Sequence, residues 1–271
     1  MPSYLVTGAS RGLGFEFMRQ LSQDPNNTVI GLVRDQATTE KAVAVELSGA
    51  SNIHILRADI TNYDAVKAAV ADVAKITGGS LDYLIANAAY VSKFDAYESL
   101  GVLGSMPKEL EEDLLKSFKV NVVSNIHLIN LFMPIILKGN TKKVIAITTA
   151  MADLDPINAF DVENVAGYAM SKAAMNVAVG KFSAQYKKHG VLFISISPGL
   201  VETGQHSNAT PAQVQTLRGM FQKFAAYSPQ FTGPAEPRDA VKDVISVWEK
   251  ASIEGGNGGS YVSHFGNKQW L

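Results

Sequence analysis

The 271-residue sequence contains no cysteine, which excludes disulfide frameworks, thiolate metal sites and a cysteine nucleophile. It has no excess of either charge. Its 24 Lys+Arg face 25 Asp+Glu, and a formal net charge of −1 gives no electrostatic footprint for nucleic acid or an anionic membrane. It also lacks an apolar run of bilayer length: the most membrane-like stretch, Ile126 to Leu137, is short and carries His127 and Asn130, whereas a span needs ~20 apolar residues. No charged region or long apolar segment precedes the strand-like start Tyr4-Leu5-Val6, so no secretory leader is expected. The sequons Asn26-Asn27-Thr28 and Asn208-Ala209-Thr210 are accordingly read as coincidental, and a cytoplasmic location is expected. Five histidines (His54, His127, His189, His206 and His264) show no metal-ligand spacing, so no metal is expected. A GxSxG nucleophile elbow and a GxxxxGK[ST] phosphate loop are absent too.

What is present is the composition of a packed domain, 46% hydrophobic and 18% charged. Short apolar runs at 4–7, 28–33, 53–57, 83–86, 144–148 and 193–197 read as strands buried on both faces. Between them, helical patterns span 12–23, 39–47, 63–76, 108–137 and 165–189; a further helix, 239–250, precedes a last strand at 260–263. Thr61 is expected to cap the third helix, with Asp64 three residues on. Strand–helix alternation predicts right-handed βαβ units, hence an α/β fold with a central parallel sheet wound in both directions. No linker or repeat divides the chain, so residues 1–271 are expected to form one domain. The polar helical excursion 202–238 is expected to be its variable substrate-binding lid. Within that excursion, Met220, Phe221, Phe224 and Tyr227 form a stripe that either covers an apolar substrate or packs on the core. The helix over 120–137 is apolar around most of its perimeter, which predicts burial on two sides, one against the sheet and one against a second subunit. A homodimer or homotetramer is therefore expected.

Three groups carry chemistry. The first is Thr7-Gly8-Ala9-Ser10-Arg11-Gly12-Leu13-Gly14, between the first strand and the first helix. Glycines there permit a tight turn and close approach to a pyrophosphate, whose charge the helix N-terminus attracts, as in a Rossmann-type dinucleotide site. The spacing is GxxxGxG rather than GxGxxG. The second group is the end of the second strand, Leu32-Val33-Arg34-Asp35. An acid that would hold ribose hydroxyls is replaced by Val33, whereas Arg34 and Arg11 can pair with a 2′-phosphate; this favours NADP(H), with Asp35 ending the strand in a turn. The third is Tyr168-Ala169-Met170-Ser171-Lys172, where Tyr168 and Lys172 share a helix face. A nearby ammonium lowers a phenol's pKa, which predicts a general acid/base pair.

Taken together these motifs resemble the short-chain dehydrogenase/reductase family over nearly the whole chain. The family's TGxxxGxG loop matches Thr7 to Gly14, and its adenine-contacting acid matches Asp59, followed by Ile60. Its NNAG motif appears as Ala86-Asn87-Ala88-Ala89 and its helix asparagine as Asn121. YxxxK matches Tyr168 and Lys172, and the PG motif matches Pro198-Gly199 within Ser197 to Thr203. The catalytic serine is replaced by Thr149, which keeps a hydroxyl but adds a methyl. The interval from Thr149 to Tyr168 is about six residues longer than is usual for the family; its acids Asp153, Asp155, Asp161 and Glu163 either line a substrate mouth or are solvated.

The resemblance implies a carbonyl reductase in which Tyr168 donates a proton, Thr149 positions the substrate oxygen and Lys172 holds the nicotinamide ribose. It further implies that Asn121 supports a proton relay. Gly8, Ser10, Arg11, Gly12, Leu13, Gly14, Arg34, Asp59, Ile60, Asn87, Ala88, Pro198, Gly199, Val201 and Thr203, with Tyr168 and Lys172, are the implied cofactor contacts. The region Pro25 to Asp35 is similar to the fungal norsolorinic acid ketoreductase-like branch, which implies reduction of a fairly apolar ketone or aldehyde with NADPH in secondary metabolism. A non-redox member of the fold, a cofactor-binding regulator or an enzyme of other chemistry, stays open because of Thr149 and Ala86.

Overall fold

The computed structural model describes all 271 residues. Its first half alternates β1 (Ser3–Thr7), α1 (Gly12–Leu21), β2 (Thr28–Val33), α2 (Gln36–Glu46), β3 (Ile53–Arg57), α3 (Tyr63–Thr77) and β4 (Tyr83–Ala86). The middle carries α4 (Leu100–Leu103), α5 (Pro107–Phe118), α6 (Ser124–Ile136), β5 (Lys143–Ile147), α7 (Leu154–Phe160) and α8 (Ala166–Tyr186). The chain finishes with β6 (Leu192–Ser197), α9 (Pro211–Tyr227), α10 (Pro237–Lys250) and β7 (Tyr261–Ser263). All seven strands join one parallel sheet in the order β3-β2-β1-β4-β5-β6-β7. Successive crossovers run outward in opposite directions from the β1/β4 pair. The connections therefore diverge there and open a crevice at the carboxyl ends of those strands, where ligands bind in this architecture.

Alternate residues of each strand face opposite sides of the sheet. Leu5, Leu84, Val144 and Phe193 pack with α3, α6 and α8 on one face. Val6, Ile85, Ile145 and Ile194 pack with α1 and α10 on the other. Both faces are covered, which is why the strand sequences are almost continuously apolar.

Two expectations need correction. Helix α3 is capped by Asn62, whose Oδ1 accepts from Ala65 N–H at 3.0 Å, while Thr61 bonds to Asp59 instead. The apolar perimeter of 120–137 is also covered mainly from within the chain: Leu128, Ile129, Phe132, Met133 and Ile136 are sealed among α3, α8 and the sheet. The helical run Pro107–Ile136 is long and apolar enough to cross a bilayer by composition alone, but this packing makes it a core helix. It is not one regular helix, because a π-helical turn, Lys119–Val123, separates α5 from α6.

At the amino ends of the strands, Asp82 ties three segments together. One carboxylate oxygen accepts from Ser3 N–H and Oγ, both at 3.0 Å, and the other from Asn140 and Thr141 N–H at 2.7 and 3.1 Å. Burial opposes the charge, but these donors hold its carboxyl below the ordinary carboxylate range. A carboxyl whose pKa is lowered by folding stabilises the fold above its unfolded value, and that contribution disappears as pH falls through the folded value. Asp82→Asn places an amide N–H against donor groups and is expected to cost about 2–3 kcal/mol at neutral pH. The difference from wild type should shrink below pH ~4; urea denaturation at several pH values measures it, and a pH-independent gap would contradict the assignment.

Candidate active site

The β1–α1 turn is shaped by interpenetration. Gly8 has φ +67°, and a Cβ there would meet Ala88 Cα at 2.9 Å. A Cβ on Gly14 would sit 2.3 Å from the Gly8 carbonyl oxygen and 2.7 Å from Asn87 Nδ2. Thr7 and Asn87 lock the same corner. Thr7 Oγ1 accepts from the N–H groups of Asn87 and Ala88 at 3.1 and 3.0 Å, and Asn87 Nδ2 donates to the Thr7 carbonyl at 2.9 Å. Arg11 precedes α1 in extended backbone and gives it no side-chain cap, so the first N–H groups of the helix, Gly12, Leu13 and Gly14, point at the crevice without an internal partner. Thr203 lies across from Gly12, where a Cβ would come 3.7 Å from its Cγ2. A bare, glycine-lined helix N-terminus fits the pyrophosphate of a dinucleotide.

Asp35 is consumed as the cap of α2: it accepts from Thr38 N–H and Oγ1 at 3.1 and 2.7 Å, and those bonds hold its carboxyl below the usual range. Arg34 and Arg11 are exposed and form no ion pair within the chain. Asp59 is kept ionised by the Thr61 N–H and hydroxyl and by the Arg34 charge, against the opposing effect of its own burial. Ile60 is buried beneath it and Ser10 is exposed on the loop. Pro198 is buried at the end of β6, and Val201 is held by a parallel bridge to Ala235.

The catalytic candidates converge on the carboxyl end of β5. Lys172 is 3% exposed and donates its Nζ to the Ile147 carbonyl at 2.7 Å. The same ammonium lies 5.6 Å from the centre of the Tyr168 ring. Loss of water pushes the Tyr168 phenol up to about 12 and the Lys172 ammonium down to about 8. This runs opposite to the lowering expected from the neighbouring ammonium, because burial of the phenol outweighs it. Asn121 is fully buried on the π-helical turn. Its amide is spent on Tyr90 N–H (2.7 Å), the Tyr90 carbonyl (2.9 Å) and Ser171 Oγ (2.9 Å). Ser171 in turn donates to the Tyr168 carbonyl at 2.7 Å. Asp95 fixes the start of α8 by accepting from Gly167 and Tyr168 N–H at 2.8 and 3.4 Å. Burial raises its carboxyl, opposed by the Gly167 bond and reinforced by the nearby Asp113 charge. Val165, a β-branched residue at φ +60°, is forced into the left-handed region just before this helix.

Thr149 opens onto an apolar cleft shared with Gly199, Phe160, Phe224, Tyr227 and Trp270. Tyr168 and Lys172 do not contribute to its lining. The interval 150–166 therefore lines this cleft, but with Met151, Pro156, Ile157 and Phe160 rather than its acids. Asp155, Asp161 and Glu163 are solvated, and Asp153 caps α7. The stripe on α9 divides, with Phe224 and Tyr227 facing the cleft and Met220 buried. Asp95, Ser171, Tyr261 and Trp270 were not foreseen. Asp95, Tyr261 and Trp270 lie in no local pattern and their partners are remote in sequence; Ser171 lies inside the Tyr168–Lys172 motif, but the bond it accepts from Asn121 spans 50 positions.

A doubly wound sheet carrying this cradle and this tyrosine–lysine pair defines an oxidoreductase class of α/β protein. The family model for short chain dehydrogenases matches residues 3–214, and the chain belongs to that family. It is 70% identical over 271 residues, the full length of both chains, to the short chain dehydrogenase virK of Hypocrea virens. It is 54% identical, again over all of both chains, to the short-chain dehydrogenase/reductase iacC of Pestalotiopsis fici. Among solved structures, the NADPH-bound carbonyl reductase from chicken fatty liver covers 98% of both chains at 21% identity with a TM-score of 0.75. The carbonyl reductase Sniffer of D. melanogaster gives 0.76 at the same identity and coverage.

The cradle geometry makes two glycine substitutions opposite in sign. Gly14→Ala is expected to destabilise the protein by about 1–3 kcal/mol through overpacking. Gly180→Ala, in the middle of α8 with no atom within 4 Å of the new methyl, is expected to stabilise by about 0.5–1 kcal/mol. Thermal melts of both variants decide, and shifts of the same sign would contradict the packing.

Proposed function

We propose that the protein is an NADPH-dependent carbonyl reductase acting on a fairly apolar ketone or aldehyde in fungal secondary metabolism. The observation that carries this reading is the desolvated Tyr168–Lys172 pair at the end of β5, next to an apolar cleft that begins at Thr149. A bound nicotinamide dinucleotide supplies the hydride. The bare N-terminus of α1 would hold its pyrophosphate, Asp59 and Ile60 would contact its adenine, and Asn87 and Ala88 would lie at its ribose. The Arg34 and Arg11 guanidinium groups receive a 2′-phosphate, because Asp35 is occupied as a helix cap. The backbone at Val201 and Thr203 would seat the carboxamide.

Thr149 Oγ1 orients the substrate oxygen. Its present partner is the Met151 N–H at 3.3 Å, a long bond in which the hydroxyl accepts and so keeps its own proton free to donate. Tyr168 retains its proton throughout the neutral range, as a donor to a developing alkoxide requires. Lys172, anchored on Ile147, fixes the ring and offers its ammonium to the ribose. Asn121 supports a proton relay to Lys172 from the π-helical turn, where its amide is held by Tyr90 and Ser171 and its main-chain carbonyl accepts from Asn125. The fungal relatives and the NADPH-bound reductase that shares the fold support this reading.

We further propose a homo-oligomer whose contact is the exposed apolar face of α5, its π-helical turn and α8. There Leu115 and Val177 are each 63% exposed, and Phe118 and Met170 each 48%.

Tyr168→Phe is expected to lower kcat for carbonyl reduction by roughly 10²- to 10⁴-fold with NADPH affinity changed little; an unaffected rate would remove the proton-donor role. Arg34→Ala is expected to weaken NADPH roughly 10- to 100-fold and NADH far less, and equal losses by titration calorimetry would refute the phosphate contact.

A further inference from the structure

The cleft beside Thr149 has a wall that neither the glycine loop nor the Tyr168–Lys172 motif supplies. After β7 the chain folds back: Ser263 N–H donates to the Asn267 carbonyl at 2.8 Å, and Asn267 Oδ1 accepts from Gln269 N–H at 2.8 Å. The reversal lays Trp270 on Tyr261, with ring centroids 4.6 Å apart and planes 28° from parallel. Trp270 is 2% exposed, and both of its N–H groups are used. Its main-chain N–H donates to the Tyr227 hydroxyl and its indole N–H to Asp153 Oδ2, each at 3.0 Å. Lys268 Nζ approaches the same carboxylate oxygen at 3.7 Å and lies 4.1 Å over the Tyr261 ring. Tyr261 donates its hydroxyl to the Thr149 carbonyl at 2.6 Å. A continuous set of contacts therefore runs from the backbone of Thr149 through two stacked rings to Asp153, in the long interval before Tyr168.

The rest of the slot is of the same character. Phe160 meets Tyr227 edge-on at 5.4 Å, and Phe224 stands on the same helix as Tyr227. No acidic side chain lines the cleft, and its one cationic side chain, Lys223, donates to the Asp161 carbonyl. Four aromatic rings around one opening suit a flat aromatic ligand, because ring–ring contacts add ~0.5–1.5 kcal/mol each beyond the area they bury. We propose that Trp270, held in place by Asp153, is a specificity-determining residue that selects flat aromatic ketones over aliphatic ones. Asp153 is a positioning residue in this device and touches no reacting atom. The turnover part of the proposal rests on the reductase reading; the binding part does not.

The chain contains two tryptophans, and Trp248 is packed against Phe17 in the core on the opposite face of the sheet. A ligand in the cleft is therefore reported by Trp270. Titrating 2-acetylnaphthalene into the wild-type protein is expected to quench tryptophan emission saturably, and Trp270→Phe to lose that quenching. With NADPH present, Trp270→Ala is expected to raise KM for 2-acetylnaphthalene by ~10-fold, about 1.4 kcal/mol, with KM for cyclohexanone nearly unchanged. Asp153→Ala should move the same ratio in the same direction. Asp153→Asn, whose amide oxygen still accepts from the indole, should restore it. Saturable quenching without turnover of any ketone would remove the reductase reading and leave the aromatic slot standing. Absence of saturable quenching in the wild type, or equal KM changes for both ketones, would overturn the slot, and the wild-type titration decides even if Trp270→Ala fails to fold.

Discussion

The site depends on how closely the β1–α1 turn approaches the end of β4. Gly8, Gly14, Thr7 and Asn87 interpenetrate at distances that leave no room for a Cβ at Gly14. This corner fixes three things together: the direction in which α1 leaves the sheet, the exposure of its first N–H groups, and the position of Asn87 and Ala88 across the crevice. A parallel sheet diverging from β1 and β4 provides the opening. The glycine corner turns that opening into a surface on which backbone donors and the helix dipole point the same way.

The other side of the crevice follows a different logic, in which desolvation rather than close approach sets the chemistry. Lys172 is buried against the end of β5, and its ammonium is satisfied by one strand carbonyl. The phenol of Tyr168 beside it is held in its neutral form. The helix that carries both is fixed at its start by Asp95 and along its side by Ser171 and Asn121. The π-helical turn at Asn121 belongs to the same scheme. Ser124 and Asn125 side chains take up the Lys119 and Val120 carbonyls at 2.9 and 3.3 Å, which satisfies the backbone where the regular helical ladder is interrupted.

The sheet was legible in the sequence because a strand covered on both faces must be apolar at nearly every position, and that pattern is local. β2, β3 and β4 lie where their apolar runs predict. The glycine loop, Asp35 as a turn residue and the Tyr168–Lys172 spacing were legible for the same reason. The capping box that the structure forms over Thr210-Pro211-Ala212-Gln213 at the start of α9 was not foreseen, although its pattern is local. The π-helical turn was not legible, since it follows from which side chains reach backbone carbonyls rather than from periodicity. The tail was less legible still: Trp270 meets Asp153 across 117 positions and Tyr261 meets Thr149 across 112. The direction of the Tyr168 shift was misjudged because helical spacing brings Lys172 near the ring but does not say how fully the phenol is buried.

Hydrogen exchange of backbone amides with and without NADPH tests the dinucleotide site most directly. Saturable slowing at Gly12, Leu13 and Gly14, together with Asn87 and Ala88 and with little change in β6 or β7, is the expected result. Exchange at Gly12 to Gly14 that stays unchanged under saturating NADPH, or protection confined to the segment around Trp270, would contradict it.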